Sequence, residues 1–291
     1  MNGILLIDKP AGWTSMDVCA KLRGALREKR VGHSGTLDPM ATGLLAVFLG
    51  RATRAVEFAE AAEKEYLAAL RLGVTTDTQD TSGTVLEQRE ADVSDAALDA
   101  ALARFRGEID QLPPMYSAIK IGGKKLYEIA RRGGEVERKP RRVTIYDLDR
   151  LGRDGAGDIL LRVRCSKGTY IRALCHDIGA ALGCGGCMSA LRRTRAGEFT
   201  LAEAHTLDTV LAAAEEGRAE ELLLPVDTLF RTYPALTLTA PQERALRSGV
   251  RYTCPVPEGT VYRLYGADGA FLALGGVREG KMCSRKNFFE N

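Results

Sequence analysis

The sequence predicts an α+β protein built on a mixed sheet, and three observations lead there. Strand-like and helix-like stretches follow one another without the strict alternation of a doubly wound fold. After Leu224-Pro225-Val226-Asp227 the pattern changes, and the remaining residues read as a compact β-rich unit. A chain of 291 residues, 45% hydrophobic and 27% charged, can bury one large core and a small one, with the domains drawn at 1–232 and 233–291.

Taken in order, Gly3 to Asp8 is an apolar strand. Thr14 or Ser15 caps a helix whose spacing of four puts Val18, Leu22 and Leu26 on one face. Leu44 to Leu49 is an unbroken apolar run, as in a buried strand. Glu65 to Leu72 alternates, with Tyr66, Ala68, Leu70 and Leu72 on one face, the period of a half-buried strand. Ser94 opens a helix with Leu98, Leu102 and Phe105 on its inner stripe. Val143 to Leu148 and Ile159 to Cys165 read as strands, and Thr169 to Leu182 as a helix burying Ile171, Leu174, Ile178 and Leu182. In the last unit a short helix starts after Thr239 and stops at Gly249. Thr260 to Tyr265 and Ala270 to Leu274 then flank Gly266-Ala-Asp-Gly269, a hairpin signal.

Composition narrows the function classes. No apolar run approaches the roughly 20 residues of a membrane span. The chain enters a strand at Gly3 to Ile7 without the basic start and small-residue cleavage site of a signal peptide, so a cytoplasmic protein is expected. Seven cysteines, an odd number, read as reduced thiols rather than a disulfide framework. Cys184-Gly-Gly-Cys187 has the spacing of half a zinc site, with Cys175 and His176 one helix away. A structural zinc needs four ligands and no second Cys-x-x-Cys exists, so no metal is expected.

The net charge of +3 is small, but its distribution is uneven. Between Lys120 and Arg142 nine basic residues (Lys120, Lys124, Lys125, Arg131, Arg132, Arg138, Lys139, Arg141, Arg142) face only Glu128, Glu135 and Glu137, a local +6 that leaves the rest of the chain at −3. Tyr116 lies just before this stretch and Tyr127 within it, and basic plus aromatic residues on a loop suit phosphates and stacked bases. A solvated face has the same composition.

The most informative stretch is GHSGTLDPMATGLL, Gly32 to Leu45, which sets His33 and Asp38 in a loop of Gly, Ser, Thr and Pro. Gly32, Gly35 and Gly43 allow turns that side chains forbid. Pro39 restricts Asp38 to an extended conformation. Such an Asp can cap a turn. A carboxylate held rigidly between glycines also suits nucleophilic or acid-base chemistry. The whole string resembles the catalytic motif of the pseudouridine synthases, specifically the tRNA pseudouridine synthase B (TruB) family. ILLIDKPAGWTS (4–15) is similar to the family's opening strand and Lys-Pro turn, and EKEYLAALRLG (63–73) to the strand carrying its active-site tyrosine. PPMYSAIKIGGKKLYEIARRG (113–133) resembles its mobile thumb, and CSKGTYIRALCHDIG (165–179) its Tyr-x-Arg element. The matches run in family order from residue 3 to about residue 230.

The resemblance implies a pseudouridine-synthase fold with a mixed, mainly antiparallel central sheet, a thumb-like insertion at about 111–142 and a PUA-like RNA-binding C-terminal domain. It implies Asp38 as the nucleophile, Arg172 as its partner and Tyr66 as the tyrosine that stacks on the target base near its moving proton. Tyr170 is then a pocket aromatic and Leu191, within SALRR, a pocket wall. His33 enters the space vacated when the nucleotide flips, and Lys9 and Pro10 support the site loop. Lys120, Lys124, Lys125, Arg131 and Arg132 belong to a thumb that grips tRNA. The expected activity is conversion of the T-loop uridine 55 of tRNA to pseudouridine by a monomer without cofactor. Two rivals stand beside it: a relative acting on another RNA, guide-RNA-dependent enzymes included, and a tRNA-folding chaperone without essential catalysis.

Overall fold

The computed structural model describes residues 1–289. Its first part comprises β1 (Gly3–Lys9), α1 (Ser15–Ala25), β2 (Val31–Ser34), β3 (Thr42–Leu49), α2 (Val56–Ala61), β4 (Lys64–Leu72), β5 (Val74–Thr76), β6 (Val85–Gln88), α3 (Asp95–Ala103) and β7 (Gly107–Gln111). A small hairpin, β8 (Lys120–Ile121) with β9 (Lys124–Lys125), and the short α4 (Leu126–Ala130) follow. Next come β10 (Arg141–Arg153), β11 (Ile159–Cys165), α5 (Ile171–Ala181), β12 (Gly186–Ala196), β13 (Phe199–Thr200), β14 (His205–Thr206) and α6 (Leu207–Glu215). The last part holds β15 (Ala235–Thr237), α7 (Ala240–Arg247), β16 (Tyr252–Thr253), β17 (Val261–Tyr265), β18 (Phe271–Arg278) and β19 (Lys281–Asn287).

Ten strands form the main sheet in the order β14-β1-β3-β12-β4-β11-β10-β7, with β2 on β3 and β13 on β12. Only the β1–β14 and β3–β12 pairs are parallel, so the sheet is mixed and mainly antiparallel. The C-terminal residues fold as a separate five-stranded sheet, β15-β17-β18-β19-β16.

β1 and β3 are apolar without alternation because both of their faces are covered. Leu5, Ile7, Leu45 and Val47 pack with Val18 and Leu22 of α1 and with Leu207 and Val210 of α6. Ile4, Leu6, Leu44 and Phe48 point the other way, onto Phe199, Phe230 and the C-terminal Leu274 and Phe288. The helix α1 starts where a cap was expected: the Thr14 hydroxyl accepts from the Asp17 N–H, and the Asp17 carboxylate accepts from the Thr14 N–H.

Three readings need correction. His33 lies in a strand, not in a loop, because residues 31–34 find ladder partners on β3 and the true loop shrinks to 35–41. The helix expected from Thr169 begins at Ile171, with Tyr170 still extended. The central strand β12 was not foreseen. Its sequence, GCMSALRRTRA, is rich in arginine, and register shifts at Met188/Ala190 and Arg193/Arg195 break the alternation that marks a strand.

Candidate active site

Loop 35–41 joins β2 to β3 and carries Asp38. The wholly buried Lys9, at the end of β1, donates to the carbonyls of Pro10 (2.9 Å), Trp13 (2.7 Å) and Pro39 (3.4 Å). The Gly12 N–H reaches the same Pro39 carbonyl at 2.8 Å. From the first turn of α1, the Ser15 hydroxyl donates to the Leu37 carbonyl (3.2 Å) and accepts from its N–H (2.9 Å). The Lys9-Pro10 turn therefore bears directly on the loop. Burial lowers Lys9 to about 8, although the Asp38 carboxylate pulls the other way.

A second support was invisible in the sequence. Arg193 of β12, 1% exposed, donates to the carbonyls of Leu44 (2.7 Å) and Gly35 (3.0 Å), one on each side of the loop. Gly43 stands opposite Arg193 in the parallel ladder with φ +97°, and any side chain there would strike the Arg193 backbone. Arg193 forms no ion pair among the described residues.

Asp38 itself meets Arg172, from the first turn of α5. Nε lies 2.9 Å from Oδ2, and a second nitrogen donates to Oδ1 at 3.3 Å. The arginine side chain is 5% exposed and that of Asp38 35%, so a shielded cation presents an accessible carboxylate. The other donors of Arg172 go to the carbonyls of Thr78 (3.0 Å) and Tyr116 (2.8 Å). Asp80, which sequence reading missed, also approaches Arg172 Nε, at 3.7 Å. Thr78 and Ser82 fix its carboxylate through the Thr78 hydroxyl (2.7 Å) and the Ser82 N–H (3.0 Å). Those residues read as an ordinary self-capped turn, which is why Asp80 gave no signal. Burial raises the Asp38 carboxyl above the ordinary aspartate value and Asp80 adds repulsion, while the charge of Arg172 and its hydrogen bond favour the ionised form.

Around this pair the sheet gathers Tyr66 of β4 and Leu191 of β12, both buried and in one apolar cluster with Leu37 and Ala41 of the loop. Burial raises the Tyr66 phenol, and the charge of Arg193 opposes that. Tyr170, half-buried, precedes α5 and feels the charges of both Arg172 and Asp38. His33, on β2, has a buried Nδ1 without a hydrogen-bond partner, and burial lowers its basicity. Lys120, Lys124, Lys125, Arg131 and Arg132 lie apart, on the hairpin and helix between β7 and β10. None of the five forms an ion pair among the described residues, and all but the half-buried Lys125 are exposed. Lys125 and Arg131 flank the Tyr127 ring at 5.4 and 5.3 Å. The segment touches the site through Tyr116, whose carbonyl accepts from Arg172. Among the described residues no group of three His, Cys, Asp or Glu side chains is placed to hold a metal, and no helix is long and apolar enough to cross a membrane.

Solved structures share this architecture. A Cbf5-Nop10-Gar1 complex matches 99% of the chain and 85% of its own chain at 28% identity, with a TM-score of 0.74. An H/ACA RNP bound to a substrate RNA containing 2′-deoxyuridine matches equally far at 26% identity and a TM-score of 0.73. The fold is that of the pseudouridine synthases. The family model for the TruB family pseudouridylate synthase N-terminal domain matches residues 23–171, and that for the tRNA pseudouridylate synthase B C-terminal domain matches 172–231. The tRNA pseudouridine synthase B of Ralstonia pickettii is 48% identical over 94% of this chain and 87% of that protein. The protein of the same name from Azoarcus sp. is 46% identical over 97% and 93%. The chain belongs to the TruB family of pseudouridylate synthases.

Proposed function

We propose that this protein converts uridine 55 in the T-loop of tRNA to pseudouridine, with Asp38 as nucleophile. The observation that carries the proposal is the two-point Arg172–Asp38 pair on a braced loop, beside Tyr66 and Leu191. The reaction is an isomerisation. The C1′–N1 bond breaks, the base turns, C5 bonds to C1′, C5 loses its proton and N1 gains one. No electrons enter or leave, so the protein must supply only a nucleophile, a stacking surface and a proton path. Asp38 triggers cleavage and holds the detached intermediate. Tyr66 stacks on the uracil and stands at the proton leaving C5, Tyr170 and Leu191 wall the pocket, and Arg172 orients the carboxylate.

A uridine inside folded RNA must leave its stack at a cost of a few kcal/mol, and a group filling the gap offsets that. His33, with its unpartnered Nδ1, is assigned that place. The thumb, about 111–142, supplies cations for phosphates. The C-terminal domain, 233–291, adds a second RNA surface, supported by a cleft of about 550 Å³ lined by Arg54, Arg251, Arg285 and Lys286.

Likeness to an H/ACA RNP favours another RNA as substrate, but relatives at 46–48% identity are named for tRNA, against 26–28% for the RNP proteins. A chaperone without catalysis would gain nothing from a buried arginine aimed at an accessible carboxylate. Asp38→Asn tests the mechanism. Asn keeps size and hydrogen bonding but is no nucleophile, so pseudouridine formation should vanish while tRNA affinity, carried by phosphate contacts, stays within a few-fold. Arg172→Ala should also fail in turnover. Wild-type turnover by Asp38→Asn would remove this carboxylate from the reaction.

A further inference from the structure

We infer that Gln111 is a positioning residue for this reaction, a buried carboxamide that fixes the Tyr170–Arg172 turn against Asp38. The inference rests on the proposed activity and adds a residue to it.

Gln111 is the last residue of β7 and is 1% exposed. Its Nε2 donates to the Tyr170 carbonyl at 3.0 Å, and the Tyr170 N–H donates to its Oε1 at 2.8 Å. One side chain thus grips both backbone groups of one residue, as a neighbouring strand would. Among side chains of this length only a carboxamide does both at neutral pH, because an ionised Glu accepts but cannot donate, and Met does neither well.

The gripped residue is critical for geometry. Tyr170 is extended (φ −99°, ψ 109°) and forms the N-cap of α5, yet its own side chain makes no capping bond. Its carbonyl also accepts the Leu174 N–H at 3.1 Å, the opening bond of the helix. Two residues on, Arg172 holds Asp38. A rotation at Tyr170 would therefore carry both the pocket aromatic and the guanidinium with it. Gln111 is also where the chain leaves the sheet for the basic segment, whose Tyr116 carbonyl accepts from Arg172. Gln111 touches neither the reacting atoms nor any surface open to RNA.

The test compares wild type, Gln111→Met and Gln111→Glu in kcat and KM for unmodified tRNA, with thermal unfolding of each. Met keeps the volume and removes both bonds; Glu keeps only the acceptor. Both variants should lose between about 10- and 100-fold in kcat, the scale of small misplacements of reacting groups. KM should stay within about threefold, because no RNA contact is removed. A folded Gln111→Met with wild-type kcat overturns the inference, and so does a raised KM with kcat intact, which would make Gln111 part of the RNA grip. If neither variant folds, Gln111 is structural and the inference is likewise overturned. A wild-type protein that forms no pseudouridine overturns instead the proposed function itself.

Discussion

At Asp38 two opposing influences act on one carboxyl. Arg172 favours the anion, while burial and the neighbouring Asp80 disfavour it and prevail. If Asp38 is the nucleophile, as proposed, only its anion attacks, so kcat/KM, which reports the free enzyme, should fall on the acid side through a value above the ordinary ~4 of an aspartate. Asp80→Asn removes the repulsion and should move that limb to lower pH; an unmoved limb would assign it to another group. Stability responds with the opposite sign. Because the folded-state value is raised, folding stability from this carboxyl declines as pH rises from the ordinary value through the folded one. Tyr66 separates two roles by substitution. Tyr66→Phe keeps the stacking face and loses the hydroxyl, so turnover should drop about 10²–10⁴-fold with binding retained if the phenol moves the proton. Tyr66→Leu should lose both, and a Phe variant as active as wild type would leave Tyr66 to stacking alone. Asp38, Arg172 and Tyr66 were legible because each sits in a motif. Asp80 and Arg193 were not, since their roles arise only when distant segments meet.

The elements that place these residues were legible to different degrees. The strand β11 and the helix α3, with its Ser94 cap, stand as expected, because period and caps are local signals. β12 carries its arginines into the sheet for contacts made far away in sequence, Arg193 to Gly35 and Arg192 to Asp8, so no local pattern announced it. The basic element between β7 and β10 carries its own prediction. If its cations displace counterions from RNA, affinity should fall steeply with salt, and each phosphate-contacting Lys or Arg replaced by Ala should flatten the log–log slope by about one unit. Lys124, Lys125, Arg131 and Arg132 are the positions to change. Trypsin should nick this segment in free protein and be blocked by tRNA. An unchanged slope together with no protection would make it a solvated face.

Across the whole molecule, the same two-faced strands that hold Lys9 against the Asp38 loop also seat the C-terminal sheet, through Phe230, Phe271 and Phe288. The strands β1 and β3, which flank the Asp38 loop, thus share one core with the C-terminal sheet, which sequence patterning could not show, since the contacts join residues 4–48 to residues 230–288. The most direct measurement treats unmodified tRNA with the purified protein and maps pseudouridine by mass spectrometry. The product has the mass of uridine, so the map needs a pseudouridine-specific derivative. Wild type should place one pseudouridine at T-loop position 55 and Asp38→Asn none. No pseudouridine from wild type, modification only at other positions, or an unchanged yield from Asp38→Asn would contradict the account.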